Sequence, residues 1–349
     1  MLPPDILITD KLPSALADII KTYAPDRCFV LTDENTRELC LPLLAECTPL
    51  ADAFHITIPA GEMNKSLETL ASVWMSLSNK GATRHSLLVC LGGGMVTDLG
   101  GFAAATFKRG MAFINLPTTL LGMVDASIGG KTGIDFNGLK NEVGVFARAL
   151  KTIIHPPFLQ TLSETLFLDG FAEMLKHGLL SDEASWAELL NMDDSTELLK
   201  RMDGLLAHSL QTKADIVAQD PHERSLRKVL NLGHTIGHGI ETLDPPRLSL
   251  SHGHAVAHGL VGTLWLSTVK EGFPIARMRQ TVTFIREHYG RPALVCDDYD
   301  PLFTLLKHDK KNVGDDIRMV LLSDIGQPKI DVVVEKELLS EAFDFIREG

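Results

Sequence analysis

The 349-residue chain has no apolar run near the roughly 18 residues that a membrane-spanning helix needs. Its start, MLPPDILITD, lacks the basic opening and long apolar centre of a secretory signal. The five cysteines (Cys28, Cys40, Cys47, Cys90 and Cys296) are an odd set with no CxxC pair, so a reduced cytoplasm fits better than a disulfide framework. Positive charge is scarce. Lys and Arg number 33 against 45 Asp and Glu, and the net charge of −12 argues against nucleic acid as a partner. It leaves room for an anionic small molecule in a local basic pocket. There is no internal repeat, no low-complexity tract and no HExxH, so the usual metalloprotease signature is missing. A strict G-x-G-x-x-G fails because Thr97 takes the sixth place, and GGKTG is no Walker A loop because the full G-x-x-x-x-G-K-[ST] spacing is absent.

Hydrophobic residues make up 45% of the chain, enough for a sizeable core, and the length suggests two domains. The first half alternates strand and helix signals. CFVLTD (28–33), FHITIP (54–59), SLLVCL (86–91), MAFINLP (111–117) and KTIIHPP (151–157) read as strands. Residues 65–79 have helical periodicity, with Leu67, Leu70, Trp74 and Leu77 on one side. SLLVCL is too apolar to face water and reads as a central strand of a parallel sheet. The βαβα order implies an α/β, Rossmann-like domain over 1–157. Beyond it, long amphipathic patterns over 158–349 imply a helical domain, expected to be all-α, with strand signals only at MVLLS (319–323) and KIDVVV (329–334).

Three features carry chemistry. Gly92, Gly93 and Gly94 follow a strand and open a helix, the context in which backbone amides meet a pyrophosphate at a helix N-terminus. The segment 109–146 places Arg109, Asp125, Lys131, Lys140 and Asn141 among glycines, a composition suited to gripping phosphate or carboxylate. Finally, five of the thirteen histidines fall within 234–258: His234, His238, His252, His254 and His258. Helical spacing makes either His234 with His238 or His254 with His258 a metal-binding pair. Glu173 in FAEMLKHG, with Lys176 and His177 near its face, could complete an open catalytic site.

The motifs GGGMVTDLGGFAAATFKRG, LPTTLLGMVDASIGGKTGID, LKNEVGVF, FAEMLKHGLL, KADIV, LRKVLNLGHTIGHGIE and HGHAV, in this order, resemble the 3-dehydroquinate synthase family from about Asp33 to Lys311. The resemblance implies a cytoplasmic homodimer, an NAD-binding α/β domain, a helical domain and one divalent metal, normally zinc, with cobalt an option. It implies a carbon–oxygen lyase of the shikimate pathway that converts 3-deoxy-D-arabino-heptulosonate 7-phosphate into 3-dehydroquinate and phosphate. The steps would be transient oxidation by NAD, phosphate elimination, re-reduction, ring opening and an intramolecular aldol.

By the same resemblance the metal ligands are Glu173, His234 and His252, and His238 handles protons. NAD contacts come from Asp33, Asn35, Glu62, Lys65, Gly93, Gly94, Asp98, Thr118, Thr119, Lys140, Phe158 and Thr161. Lys213, Arg227 and Asn231 act on the substrate, and Glu223 matches an acidic position of the site. Asp125, Lys131, Asn141, Lys176 and Lys310 bind it, and Arg109 is given across the dimer interface. Two departures stand out. HGHAV carries His254 where the family has Glu, expected beside the metal rather than on it, since a fourth ligand would close the site. The loop before Arg227 reads HERSLR where the family often has two glycines, and its Arg224 is expected to point into solvent. A related sugar-phosphate cyclase, an NAD-dependent metal alcohol dehydrogenase and a non-catalytic zinc protein are the competing readings.

Overall fold

In a computed structural model, residues 2–126, 128–191, 195–221, 223, 225–243, 248, 250–307 and 316–349 are described. Lys310 and Arg224 lie outside them. The chain divides into two compact units, Met1–Phe167 and Leu168–Gly349.

The first unit is built on a six-stranded sheet in the order β1-β8-β5-β4-β2-β3, every neighbouring pair parallel. Its strands are β1 (Ile6–Ile8), β2 (Cys28–Asp33), β3 (Phe54–Ile58), β4 (Leu87–Gly92), β5 (Ala112–Pro117) and β8 (Lys151–Ile154). β4 is buried at all six positions, as its unbroken apolar run requires of a strand covered on both faces. Helix α3 (Leu67–Asn79) starts at Ser66, whose side chain accepts from the Thr69 amide. Leu70, Val73 and Leu77 are its buried apolar face, whereas Leu67 at its first turn is exposed. α4 (Gly94–Thr106) leaves β4 without a linker and packs close to the sheet: a Cβ on Gly100 would lie 2.5 Å from Cys90 Sγ. Connections leave β2 toward β3 and β4 toward β5, so the strand order reverses between β2 and β4. In such sheets ligands bind past the carboxyl ends of the strands at this switch point.

A separate antiparallel pair, β6 (Lys131–Phe136) and β7 (Leu139–Phe146), occupies the glycine-rich segment. The turn Pro156–Thr161 stays with the first unit, which runs to Phe167. Phe158 is fully buried and meets His155 edge-on, and Cys40 Sγ lies 3.8 Å from Thr161 Oγ1.

The second unit is helical, with one hairpin that corrects the all-α expectation: Ile317–Asp324 pairs antiparallel with Gln327–Val334. α5 (Glu164–Leu180), α6 (Glu183–Leu190) and α7 (Ser195–Gln219) coincide with the amphipathic runs of the sequence. α8 (His234–Thr242) and α9 (His252–Glu271) hold the histidines. Glycines let these two helices touch backbone to backbone: a Cβ on Gly259 would lie 2.1 Å from the Gly233 carbonyl oxygen. No described helix is long and apolar enough to cross a membrane.

Candidate active site

In the helical unit, α5 supplies Glu173 from a wholly buried position. One carboxylate oxygen, Oε2, contacts the buried ammonium of Lys176, one turn further on. The other, Oε1, is buried with no hydrogen bond. His234 Nε2 lies 3.3 Å from it and His252 Nε2 3.9 Å. An orphaned carboxylate oxygen facing two imidazole nitrogens is unfavourable unless something positive sits between them.

The far sides of the rings fix the tautomers. His234 Nδ1 meets the Leu232 carbonyl oxygen at 3.1 Å, which can only accept, so Nδ1 carries the proton. His252 Nδ1 meets the Glu241 carboxylate at 3.1 Å with the same consequence. In its neutral form each ring then turns its Nε2 lone pair toward Glu173, the arrangement that outer carboxylates and carbonyls impose on metal-binding histidines.

Charge states agree. Burial pushes the Glu173 carboxyl up, yet the Lys176 ammonium outweighs it and holds the group well below the usual carboxylate range. Burial first, and Lys176 second, keep His234 below its ordinary value and so neutral. An ionised carboxylate and neutral imidazoles are the ligand forms a divalent metal needs. The donor set of two nitrogens and one oxygen suits zinc or a similar ion.

His238 belongs to the same group. Ring nitrogens of His234, His238 and His252 all lie within 4.8 Å of one another. The His238 ring centroid is 5.2 Å from that of His234 and 5.7 Å from that of His252. The other pair that helical spacing suggested does not form. His258 is buried inside α9, and burial lowers its pKa to about 4. His254 Nδ1 bonds the Asp169 carboxylate at 3.1 Å.

The turn before α8 groups three more expected residues. Arg227 is buried, its guanidinium donating to the Pro221 carbonyl at 2.8 Å and its amide to Asp220 at 3.1 Å. Asn231 donates to Glu223 at 3.3 Å, and Glu223 has a left-handed backbone at φ 56°. Lys213 is buried on α7.

In the α/β unit a second cluster forms. Lys65, 3% exposed, bonds Asp98 at 2.7 Å and the Asn141 side-chain oxygen at 2.6 Å, with Glu62 at 3.7 Å. Burial raises the Asp98 carboxyl to about 6 against the pull of Lys65. The glycine turn lies beside Thr118 and Thr119 at the end of β5; the Thr118 amide bonds the Gly92 carbonyl at 3.0 Å. A Cβ on Gly93 would sit 3.0 Å from the Thr119 methyl, and one on Gly94 3.1 Å from Ala126. No side chain caps the N-terminus of α4, and uncapped amides of this kind bind anions.

Asp33 and Asn35 stand at the end of β2, where Asp33 caps helix α2 (Glu34–Leu39) by accepting from the Thr36 amide at 2.7 Å. Thr161 donates to the Phe158 carbonyl at 2.7 Å. Asp125 lies in a single π-helical turn, Gly122–Ala126. Lys131 and Lys140 are exposed on the β6–β7 hairpin. Arg109 stands apart, exposed after α4 in a run of positive φ values: Lys108 at 49°, Arg109 at 66° and Gly110 at 116°.

Comparison with known proteins gives this geometry a family. The chain matches the model for the 3-dehydroquinate synthase N-terminal domain over residues 55–169 and that for the C-terminal domain over 170–312. The chain belongs to the 3-dehydroquinate synthase family. It is 46% identical over 345 residues to a 3-dehydroquinate synthase from Parabacteroides distasonis, covering 99% of this chain and 98% of that one. Among solved structures it resembles a 2-epi-5-epi-valiolone synthase from Streptomyces hygroscopicus with NAD+ and Zn2+ bound (TM-score 0.85, 27% identity, 99% and 97% coverage). It shares its fold with a 2-deoxy-scyllo-inosose synthase complexed with carbaglucose-6-phosphate, NAD+ and Co2+ (TM-score 0.84, 22% identity, 99% and 96% coverage).

Within this dehydroquinate synthase-like site, sequence reasoning missed Glu241 and Asp169. Glu241 had a signal: it lies seven residues after His234 in HTIGHGIE, two helical turns along the same face. Asp169 had none, since its partners are more than 80 residues away.

Proposed function

We propose that the chain is a 3-dehydroquinate synthase, releasing phosphate from 3-deoxy-D-arabino-heptulosonate 7-phosphate and closing the carbocycle of 3-dehydroquinate. The observation that carries this reading is the buried, unbonded Oε1 of Glu173 between two imidazoles of fixed tautomer. Glu173, His234 and His252 would hold one divalent metal, zinc or cobalt. The glycine turn and the Lys65–Asp98 cluster would hold NAD. When bound, NAD takes up and returns a hydride, and the metal withdraws charge from the substrate's hydroxyls.

The chain's own residues do the rest. The α4 amides at Gly93 and Gly94 receive the dinucleotide's phosphates, with Asp33, Asn35, Thr118, Thr119, Phe158 and Thr161 lining the ends of the strands around them. Lys65 keeps Asp98 and Asn141 in fixed relation, and so couples a cofactor residue to a substrate residue. His238 moves protons at the reacting carbon's hydroxyl. Lys213, Arg227 and Asn231 hold the substrate, with Glu223 orienting Asn231. Lys131, Lys310, Asn141 and Arg109 hold its phosphate, which itself serves as the base for elimination. No carboxylate of the chain is assigned that task.

The protein would act in the cytoplasm as a homodimer. β7 supports that reading, being exposed along its whole length with Leu139, Val143, Val145 and Phe146 bare. Such an apolar strand invites cover. Arg109, presented at a strained turn, would reach the partner's site.

One assay tests the reading. The protein, NAD+ and zinc are mixed with the heptulosonate phosphate. Phosphate and dehydroquinate should appear together with no lasting NADH. Accumulating NADH without phosphate would make it a dehydrogenase instead.

A further inference from the structure

Asp169 lies one helical turn before Glu173 on α5, on the same face. Its Oδ1 receives three donors from the start of α9: Ser251 Oγ at 2.5 Å, His254 Nδ1 at 3.1 Å and the His254 backbone amide at 3.2 Å. These residues bracket His252. Ser251 is the residue before α9, and serine there ordinarily accepts an amide bond from its own helix. It does not do so. Its hydroxyl is given to Asp169 and lies 2.9 Å from His254 Nδ1, and the amide of the third helical residue, His254, is capped by Asp169 instead. One helix thus caps another.

The approach is as close as backbones allow. A Cβ on Gly253 would fall 2.2 Å from the Asp169 carbonyl oxygen. Tyr289 closes the far side: its ring meets His254 edge-on at 5.1 Å and its hydroxyl donates to the Leu168 carbonyl at 2.8 Å.

We propose that Asp169, Ser251 and His254 form an interhelical clamp that sets the spacing between Glu173 and His252. They are positioning residues for the metal centre. The inference rests on the reading of Glu173, His234 and His252 as metal ligands. The physical reason is geometric: two ligands on different helices keep their spacing only if the helices are fixed in register, and supporting residues of this kind change metal affinity by about 10- to 100-fold. It also gives His254 a task that a glutamate could not perform opposite Asp169, because two carboxylates about 3 Å apart repel.

The test is cobalt affinity by chelator competition, together with the visible absorption spectrum of the bound ion and NAD binding as a control for folding. Asp169→Ala should weaken cobalt binding at least tenfold and alter the spectrum while NAD still binds. Asp169→Asn, whose side-chain oxygen can accept the same bonds, should stay within about threefold of the unaltered protein. His254→Glu should weaken binding at least tenfold, and the double variant D169N/H254E, in which the new amide can donate to the new carboxylate, should regain most of it. Unaltered affinity and spectrum in Asp169→Ala would overturn the clamp. So would a double variant no better than His254→Glu. Failure of the ligand reading looks different: His252→Ala would then bind cobalt as tightly as the unaltered protein, and the clamp would fall with it.

Discussion

The two buried charge clusters solve the same problem in opposite ways. In the α/β unit, Lys65 and Asp98 meet at 2.7 Å, and Asn141 satisfies the ammonium further. That cluster is complete. In the helical unit, Glu173 has Lys176 on one oxygen and nothing bonded to the other, while two imidazoles face it. That cluster leaves one carboxylate oxygen unbonded. A self-satisfied pair shapes a surface for a ligand; an orphaned oxygen calls for a ligand within the protein itself.

The difference can be broken from either side. Glu173→Ala should have the largest effect, abolishing metal binding and activity, and it should also lower stability because it strips Lys176 of its counter-charge. Removing one partner of a buried pair costs about 3–5 kcal/mol. Denaturant melts in chelator separate that part from metal loss. Lys65→Met should destabilise by an amount near the lower end of that range, with Asp98 partly exposed, and should weaken NAD while leaving metal affinity intact.

His258 sharpens the contrast between a histidine neutral chiefly through burial and one proposed as a ligand. Its folded pKa of about 4 lies below the 6.5 of an ordinary imidazole. A base depressed in this way leaves stability untouched above pH 6.5 and lowers it as pH falls from 6.5 toward 4, by roughly 3 kcal/mol at the acid end. Melts of His258→Leu should lose that slope. Glu241→Gln should have the smallest effect, a metal affinity about tenfold weaker, since it loosens the His252 ring without removing a ligand.

The sequence made local order plain. α5, α6 and α7 lie within the long amphipathic patterns of 158–349, and SLLVCL became the central strand its apolarity required. β1 escaped notice because three residues carry no period. The β6–β7 hairpin escaped because glycines interrupt its alternation. In the site, helical spacing offered His234 with His238 and His254 with His258 equally, and could not bring in His252 from the next helix. Only the fold shows that His254 bonds Asp169 and that His258 is buried in a helix. Glu173 was suggested by its local companions, while Asp169 depended on a contact between helices that no local pattern encodes.

On the proposed reading, Glu173, His234 and His252 hold one divalent cation in the helical unit. Titrating metal-stripped protein with zinc in a calorimeter tests this most directly. One ion should bind per chain, with His252→Ala abolishing the signal. Equal stoichiometry and affinity in His252→Ala would contradict the account.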